Sequence, residues 1–218
     1  MYDINKLIKS SHFSQLLSLC PLPRQKKTGR PRCNKKNLVS GIIQVLVLDI
    51  PWNKMYDCGC SSSSCFRYFK EIQRRGRLKK IFKQLANKET DTKGLPVDVE
   101  IDKGNIHDKT FLYKHIKNTR GKRKKILNLD NVYVSIDLRR QMRQSGTYVN
   151  METRKNDYIR KKGPKFKLKK DKYKVRFLVE RAFAWIENFK RCKYRTDYTV
   201  SSFRAWVYLA LIIILIRQ

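Results

Sequence analysis

The sequence predicts an α+β chain of two parts, a helical leader over residues 1–88 and an α/β region over residues 89–218. Three observations predict it. Apolar residues recur at helical spacing through the leader. At Leu95 the period changes to strict alternation, the pattern of a strand. Beyond that point short apolar runs and helical stretches take turns, as an α/β fold requires.

The leader opens with Leu7, Ile8, Phe13, Leu16, Leu17 and Leu19, which predict one helical segment ended by Pro21 and Pro23. Residues 24–32 read RQKKTGRPR, where Gly29 and Pro31 forbid regular helix. Such an extended cationic segment, carrying Arg30 and Arg32, suits a narrow minor groove or serves as a flexible linker. Asn37 to Asp49 is apolar enough for a buried strand, but its length and the flanking Asn and Pro51 favour a helix. A turn with Pro51, Trp52 and Gly59 follows, and Ser61 to Ser64 supply N-caps for the next helix. Phe66, Phe69 and Ile72 recur in steps of three, which predicts a shared buried face, with Arg67, Lys70, Arg74 and Arg75 toward solvent. Gly76 ends that helix, and Leu78, Ile81, Phe82 and Leu85 build another.

In the second part, Leu95 to Asp102 reads as a strand, Asp108 to Lys117 as a short helix and Ile126 to Asp130 as a second strand ending in a carboxylate. Asp137 to Gln144 reads as a helix ended by Gly146, and Thr147 to Met151 as a third strand. A long helix is expected from Lys172 to about Cys192, with Val175, Val179, Phe183, Ile186 and Phe189 toward the core. Trp206 to Ile216 is the most apolar run. It is too short for a membrane span, which needs roughly 20 residues, so a buried helix or strand is expected.

Charge decides the class of partner. The 218 residues carry 51 Lys and Arg against 18 Asp and Glu, a formal charge of +33. Such a field draws polyanions, and each phosphate neutralised releases condensed counterions. The charge is clustered. Nine basic residues and the single acid Glu71 lie between Arg67 and Lys88, and eleven basic residues lie between Arg154 and Lys174. Tyr158, Phe166 and Tyr173 interleave with the second cluster, a composition that holds phosphates and stacks on bases. A helix, a turn and two further helices over ~50 residues match the layout of a helix-turn-helix reader of double-stranded DNA. Met1 to Lys9 lacks a signal-peptide core, so an intracellular, nucleoid-associated protein with reduced thiols is expected. Cys58, Cys60 and Cys65 do not have the spacing of a structural zinc site.

Tyr173, Arg176 and Glu180 follow steps of three and four, which places them on one helix face. Asp130 ends its strand, where α/β sheets place ligand-binding groups. Two such carboxylates are candidates to hold Mg2+ or Mn2+ for phosphodiester cleavage. The stretches GLPVDVEIDKGNIHDKTFL, LNLDNVYVSIDLRRQMRQSG and YKVRFLVERAFAWIENFKRCKYR resemble the DDE transposases of the IS-four/IS-five superfamily of bacterial insertion sequences. GRPRCNKKNLVSGIIQVLVLDIPW followed by SSSSCFRYFKEIQRRG resembles the DNA-binding leader of the same proteins. The resemblance implies an RNase H-like catalytic core, a divalent cation, insertion-element ends as substrate and action as a homodimer or larger assembly. It implies that Asp130 and Glu180 are the second and third catalytic carboxylates and metal ligands, and that Tyr173 and Arg176 contact element-end DNA. No residue matches the family's first carboxylate, Asp91, Asp98, Asp102 and Asp108 falling at other positions. The opening strands of the core are expected to be missing. Glu187 stands where the family has Lys, and Val132-Tyr133-Val134 where it has Gly-Tyr-Asp. Three functions follow as expectations: an impaired enzyme of strand cleavage and transfer, a remnant that only binds DNA, and a basic RNA-associated protein.

Overall fold

A computed structural model of the chain describes residues 4–22, 31–56, 58–86, 94–106, 110–112, 126–130, 133, 136–144, 146–152 and 168–217. Arg30, Asp91, His107, Asp108, the loop 121–125, Val132, Val134 and residues 153–167 of the second basic tract lie outside the described residues. The described part is mostly helical with one small sheet, and it divides into two compact units. One comprises Met1–Ile101 with Arg181–Gln218, the other Asp102–Glu180. The expected division was 1–88 and 89–218; the C-terminal helix falls within the first unit because it buries against the leader helices.

In the first unit the expected single opening helix is two. Ser10 ends α1 (Ile4–Ile8) and starts α2 (Ser11–Leu19). Its hydroxyl donates to the Leu7 carbonyl at 2.6 Å and accepts the Phe13 N–H at 3.3 Å. Serine here satisfies orphaned backbone groups locally instead of continuing the helix. α3 (Lys35–Leu48) is capped by Asn34, which accepts the Lys36 N–H at 2.9 Å. Every residue from Leu38 to Val47 is buried, so this apolar run is a helix packed on all sides. Asp49 ends it in the left-handed conformation, φ +56°. After a 3-10 turn at Trp52–Lys54, α4 (Ser62–Arg74) starts from Ser61, whose hydroxyl accepts the Ser64 N–H at 3.3 Å. The buried face of α4 is Cys65, Tyr68, Phe69 and Ile72. Phe66, expected inside, is 39 % exposed and rests edge-on against Trp52. Three-residue steps drift around a 3.6-residue turn, so 65, 68, 69 and 72 share the inner stripe and 66 leaves it. Gly76, at φ +59°, turns the chain into α5 (Arg77–Ala86).

Gly41 lies where α3 meets the turn. A Cβ there would come within 2.8 Å of Cys65 Sγ and 3.1 Å of Cys58 Sγ, and would also strike the Met55 methyl. Gly41→Ala is expected to destabilise the unit by about 1–3 kcal/mol through overpacking. The helix-propensity gain of Ala over Gly, about 1 kcal/mol, offsets part of that. Urea denaturation decides the sign, and a variant more stable than wild type would contradict the close fit.

The apolar C-terminal run is helix α10 (Val200–Ile216), buried continuously from Ala205 to Ile216 and packed on α5 and α2. Its Trp206 stacks on Phe69 at 3.9 Å between centroids. Among the described residues no helix is long and apolar enough to cross a membrane. Leu95–Asp102 is not a strand. Val99 and Ile101 turn to the core while Asp98 and Glu100 face out, but Val97, which shares their phase, is 45 % exposed, so the alternation holds only in part. No described strand pairs with the segment. Side chains of α10 take its carbonyls instead: Tyr208 donates to Val99 at 3.4 Å and Arg204 to Ile101.

In the second unit β1 (Ile126–Asn128) and β2 (Tyr148–Asn150) pair in parallel, Ile126 opposite Tyr148 and Asn128 opposite Asn150. Parallel neighbours need a crossover, and α6 (Ile136–Gln144) supplies it. Gly146 at φ +74° ends that helix, its N–H donating to Arg143 while that of Thr147 donates to Met142. Leu112, Met142, Val149 and Met151 form the core of this unit.

The expected long helix Lys172–Cys192 is four pieces. They are α7 (Lys170–Tyr173), a 3-10 turn at Lys174–Arg176, α8 (Phe177–Glu187) and α9 (Lys190–Tyr194). The 3-10 turn shifts the phase, and the chain breaks at Asn188, whose side chain caps back to the Ala184 carbonyl at 3.2 Å. Val175, Val179 and Phe183, expected in the core, are more than half exposed. Ile186 is half-buried and Phe189 fully buried, because the inward face begins only near the break.

Candidate active site and nucleic-acid interface

Asp130 lies two residues beyond β1, where the Leu129 N–H still pairs with the Asn150 carbonyl at 3.0 Å. Glu180 sits in the first turn of α8. Arg176 lies between them. Its Nη2 is 3.7 Å from Asp130 Oδ2 and 3.5 Å from Glu180 Oε1. One nitrogen shared by both carboxylates confines their oxygens to within the sum of those distances. Arg176 Nη1 donates to the Tyr173 hydroxyl at 3.3 Å, and that hydroxyl donates to the Leu129 carbonyl at 3.4 Å. The Tyr173 hydrogen bond, then the Asp130 charge, push the Arg176 pKa further up, so it is a permanent cation. The structure thus brings together Asp130, Tyr173, Arg176 and Glu180, four residues that the sequence placed on two separate elements.

Sequence reasoning missed Asn150, which holds this arrangement from behind. It is 1 % exposed. Its amide donates to Asn128 Oδ1 at 2.8 Å and to the Lys169 carbonyl at 3.1 Å, and its Oδ1 accepts the Lys169 N–H at 2.8 Å. The Lys169 carbonyl also receives the Tyr173 N–H, at 3.0 Å. Asn150 therefore fixes where α7 leaves the sheet, and with it Tyr173. A polar residue inside an apolar strand pattern was the available signal, since buried amides are retained where they are fully satisfied.

The leader carries a second feature, a groove of about 1190 Å3 between the segment Pro31–Cys33 and the face of α4. Arg32, Arg67, Lys70, Arg74 and Arg75 line it. Arg67, Arg74 and Arg75 are exposed. Lys70, expected in solvent, is half-buried and donates to the Ser202 hydroxyl at 2.7 Å, because the start of α10 reaches its edge of the helix. Glu71 binds Arg32 at 3.2 Å and Arg75 at 2.9 Å, so one carboxylate orders two guanidinium groups along the groove.

None of the six cysteines forms a disulfide. Cys58 and Cys65 approach to 3.9 Å between sulfurs. Burial, then a hydrogen bond with Cys33, pushes the Cys60 thiol up to about 12, so it stays protonated. Among the described residues no group of three or more His, Cys, Asp or Glu gathers to hold a metal ion.

No curated protein and no solved structure matches the chain. A family model does: residues 68–215, more than half of the chain, match the transposase DDE domain. They include Asp130, Tyr173, Arg176 and Glu180, and by this match the chain belongs to the transposase DDE domain family.

Proposed function

We propose that this chain is a DNA-binding transposase of an insertion element, acting in metal-dependent DNA strand cleavage and transfer, at a rate reduced by the missing first carboxylate. The observation that carries the reading is the shared guanidinium: Asp130 and Glu180 already hold one cation between them. Their oxygens are hard donors on half-exposed side chains, and Mg2+ is commonly bound through one or two carboxylates with water completing its shell. The residues fit one such ion, with Arg176 as its stand-in. When bound, the ion supplies charge stabilisation at the phosphoryl and leaving oxygens. Asn150 and Tyr173 fix where α7 leaves the sheet beside Leu129, which positions the turn that carries Arg176 and leads into Glu180. Arg32, Arg67, Arg74 and Arg75, with Arg30 two residues before Arg32 in sequence, hold double-stranded DNA by its phosphates, and Lys70 joins them at the rim. Tyr173 and Arg176 meet the DNA next to the carboxylates. In this reading α4 and α5 act as a helix-turn-helix pair, and the second unit is what remains of an RNase H-like core.

A second reading, a remnant that binds DNA without cutting it, is favoured by the lack of a third carboxylate beside Asp130 and Glu180 among the described residues. Nicking of element-end duplex with Mg2+ separates the two. Wild type is expected to give product and Glu180→Gln to lose about 100-fold or more, since even replacing a group that only orients a metal ligand costs roughly 10–100-fold. Equal product from both proteins would refute the carboxylate assignment, and binding without product from wild type would establish the remnant.

A further inference from the structure

Arg176 does more than mark the site. Two carboxylates that approach one another repel unless a cation offsets their charge, and here both reach the same guanidinium nitrogen. The arrangement is braced, because Nη1 is held by the Tyr173 hydroxyl and that hydroxyl by the Leu129 carbonyl. It is also exchangeable. Arg176, Asp130 and Glu180 side chains are 38 %, 44 % and 57 % exposed, and the ion-pair distances of 3.7 and 3.5 Å are long. Exposed pairs of this kind are weak. We infer that Arg176 is the resident counter-cation of the Asp130–Glu180 pair, that it competes with a divalent cation for the same oxygens, and that a DNA phosphate which draws Arg176 away tightens the cation site. The inference rests on the metal-pocket reading above.

The chemistry follows from charge alone. A divalent ion entering between the carboxylates meets a fixed positive charge, so Arg176 must swing out or repel it. Once out, its five N–H donors need a new anion, and phosphate is the planar fork's natural partner. By linkage, whatever DNA does to cation affinity through Arg176, the cation does to DNA affinity. Lys169, Lys170, Lys172 and Lys174 surround the same turn in sequence, so a phosphate that reaches the turn finds a cationic setting.

The test counts free Mn2+ by electron paramagnetic resonance with the full chain, with and without a short mixed-sequence duplex. The Asp130→Asn/Glu180→Gln double variant serves as the blank for ions held elsewhere. Arg176→Gln is expected to bind Mn2+ roughly three- to tenfold tighter than wild type, the scale on which exposed ion pairs compete. Tyr173→Phe, which removes the brace and keeps the charge, is expected to shift affinity in the same direction by less. Duplex DNA is expected to tighten Mn2+ on wild type more than on Arg176→Gln. If both proteins bind Mn2+ above the blank with equal affinity, or DNA tightens both alike, the competition is overturned while the metal pocket stands. If neither binds above the blank, the pocket itself fails and the inference with it.

Discussion

Arg191→Met is expected to destabilise the first unit by about 3–5 kcal/mol, the cost of breaking a buried ion pair from one side. Arg191 Nη1 donates to Asp49 Oδ1 at 2.8 Å, and Nε and Nη2 donate to the two oxygens of Asp197 at 3.1 and 3.0 Å. Arg191 is 13 % exposed and each aspartate 11 %. Asp49 also accepts the Thr196 hydroxyl at 2.9 Å. Burial by itself disfavours the charged guanidinium. The hydrogen bonds to Asp197 and Asp49 outweigh it and push the Arg191 pKa up, so the group stays ionised throughout the working pH range. The guanidinium ties the left-handed end of α3 to the loop before α10, two elements far apart in sequence, and lies 5.7 Å from the centre of the Trp206 ring. Removing it leaves two carboxylates facing an apolar wall. Urea unfolding followed by tryptophan fluorescence reads the loss. Adding Asp49→Asn and Asp197→Asn to Arg191→Met is expected to recover much of it, since the stranded charges, more than the broken hydrogen bonds, carry the cost. A single variant within about 1 kcal/mol of wild type, the range of an exposed pair, would show that the cluster is solvated in solution.

What could be read from the sequence follows from the range of the forces involved. α3 and α5 were legible because their apolar residues extend over several turns and Gly76 marks the start of α5. The strand and crossover pattern of β1, α6 and β2 was legible for the same reason. The run Trp206–Ile216 left helix and strand open, since a solid apolar run has no period, and α10 starts earlier, at Val200, where Thr199 caps it. Leu95–Asp102 was misread because alternation specifies which side faces the core and says nothing about whether a partner strand exists. Phe66 was misread because its spacing fits a three-residue period as well as a true helical stripe. The inward face of Lys172–Cys192 was misread because a 3-10 turn and the break at Asn188 reset the phase. At the site, the steps of three and four among Tyr173, Arg176 and Glu180 did bring Arg176 within reach of the other two, although the three fall on α7, a 3-10 turn and α8 rather than on one helix face. Asn150 was not legible, since a buried amide declares itself only through the backbone of Lys169, nineteen residues away. Nor could spacing reveal that Arg176 reaches across to Asp130.

Duplex affinity is expected to fall roughly a thousandfold or more between about 50 and 200 mM salt, the behaviour of proteins that neutralise six or more phosphates. Placement matters as well as the net charge of +33, because charge spread evenly would give binding without a footprint. The groove beside α4 supplies placement. Arg67 and Arg74 lie two turns apart on its exposed face, so both reach phosphates from one rigid element. Replacing both with glutamine is expected to lower the salt slope by about 2, one for each phosphate no longer neutralised, and to weaken binding uniformly across sequences. Glu71 gives the opposite sign. It neutralises Arg32 and Arg75 in the free protein, and DNA must compete with it for both. Glu71→Gln is therefore expected to tighten duplex binding at low salt, with the gain fading as salt rises, since screening weakens the competing pairs as well. If Glu71→Gln instead weakened binding, its role would be to aim the two guanidinium groups rather than to hold them back. If the Arg67 and Arg74 replacements left the slope unchanged, the footprint would lie elsewhere on the chain, and the groove would have no part in holding DNA.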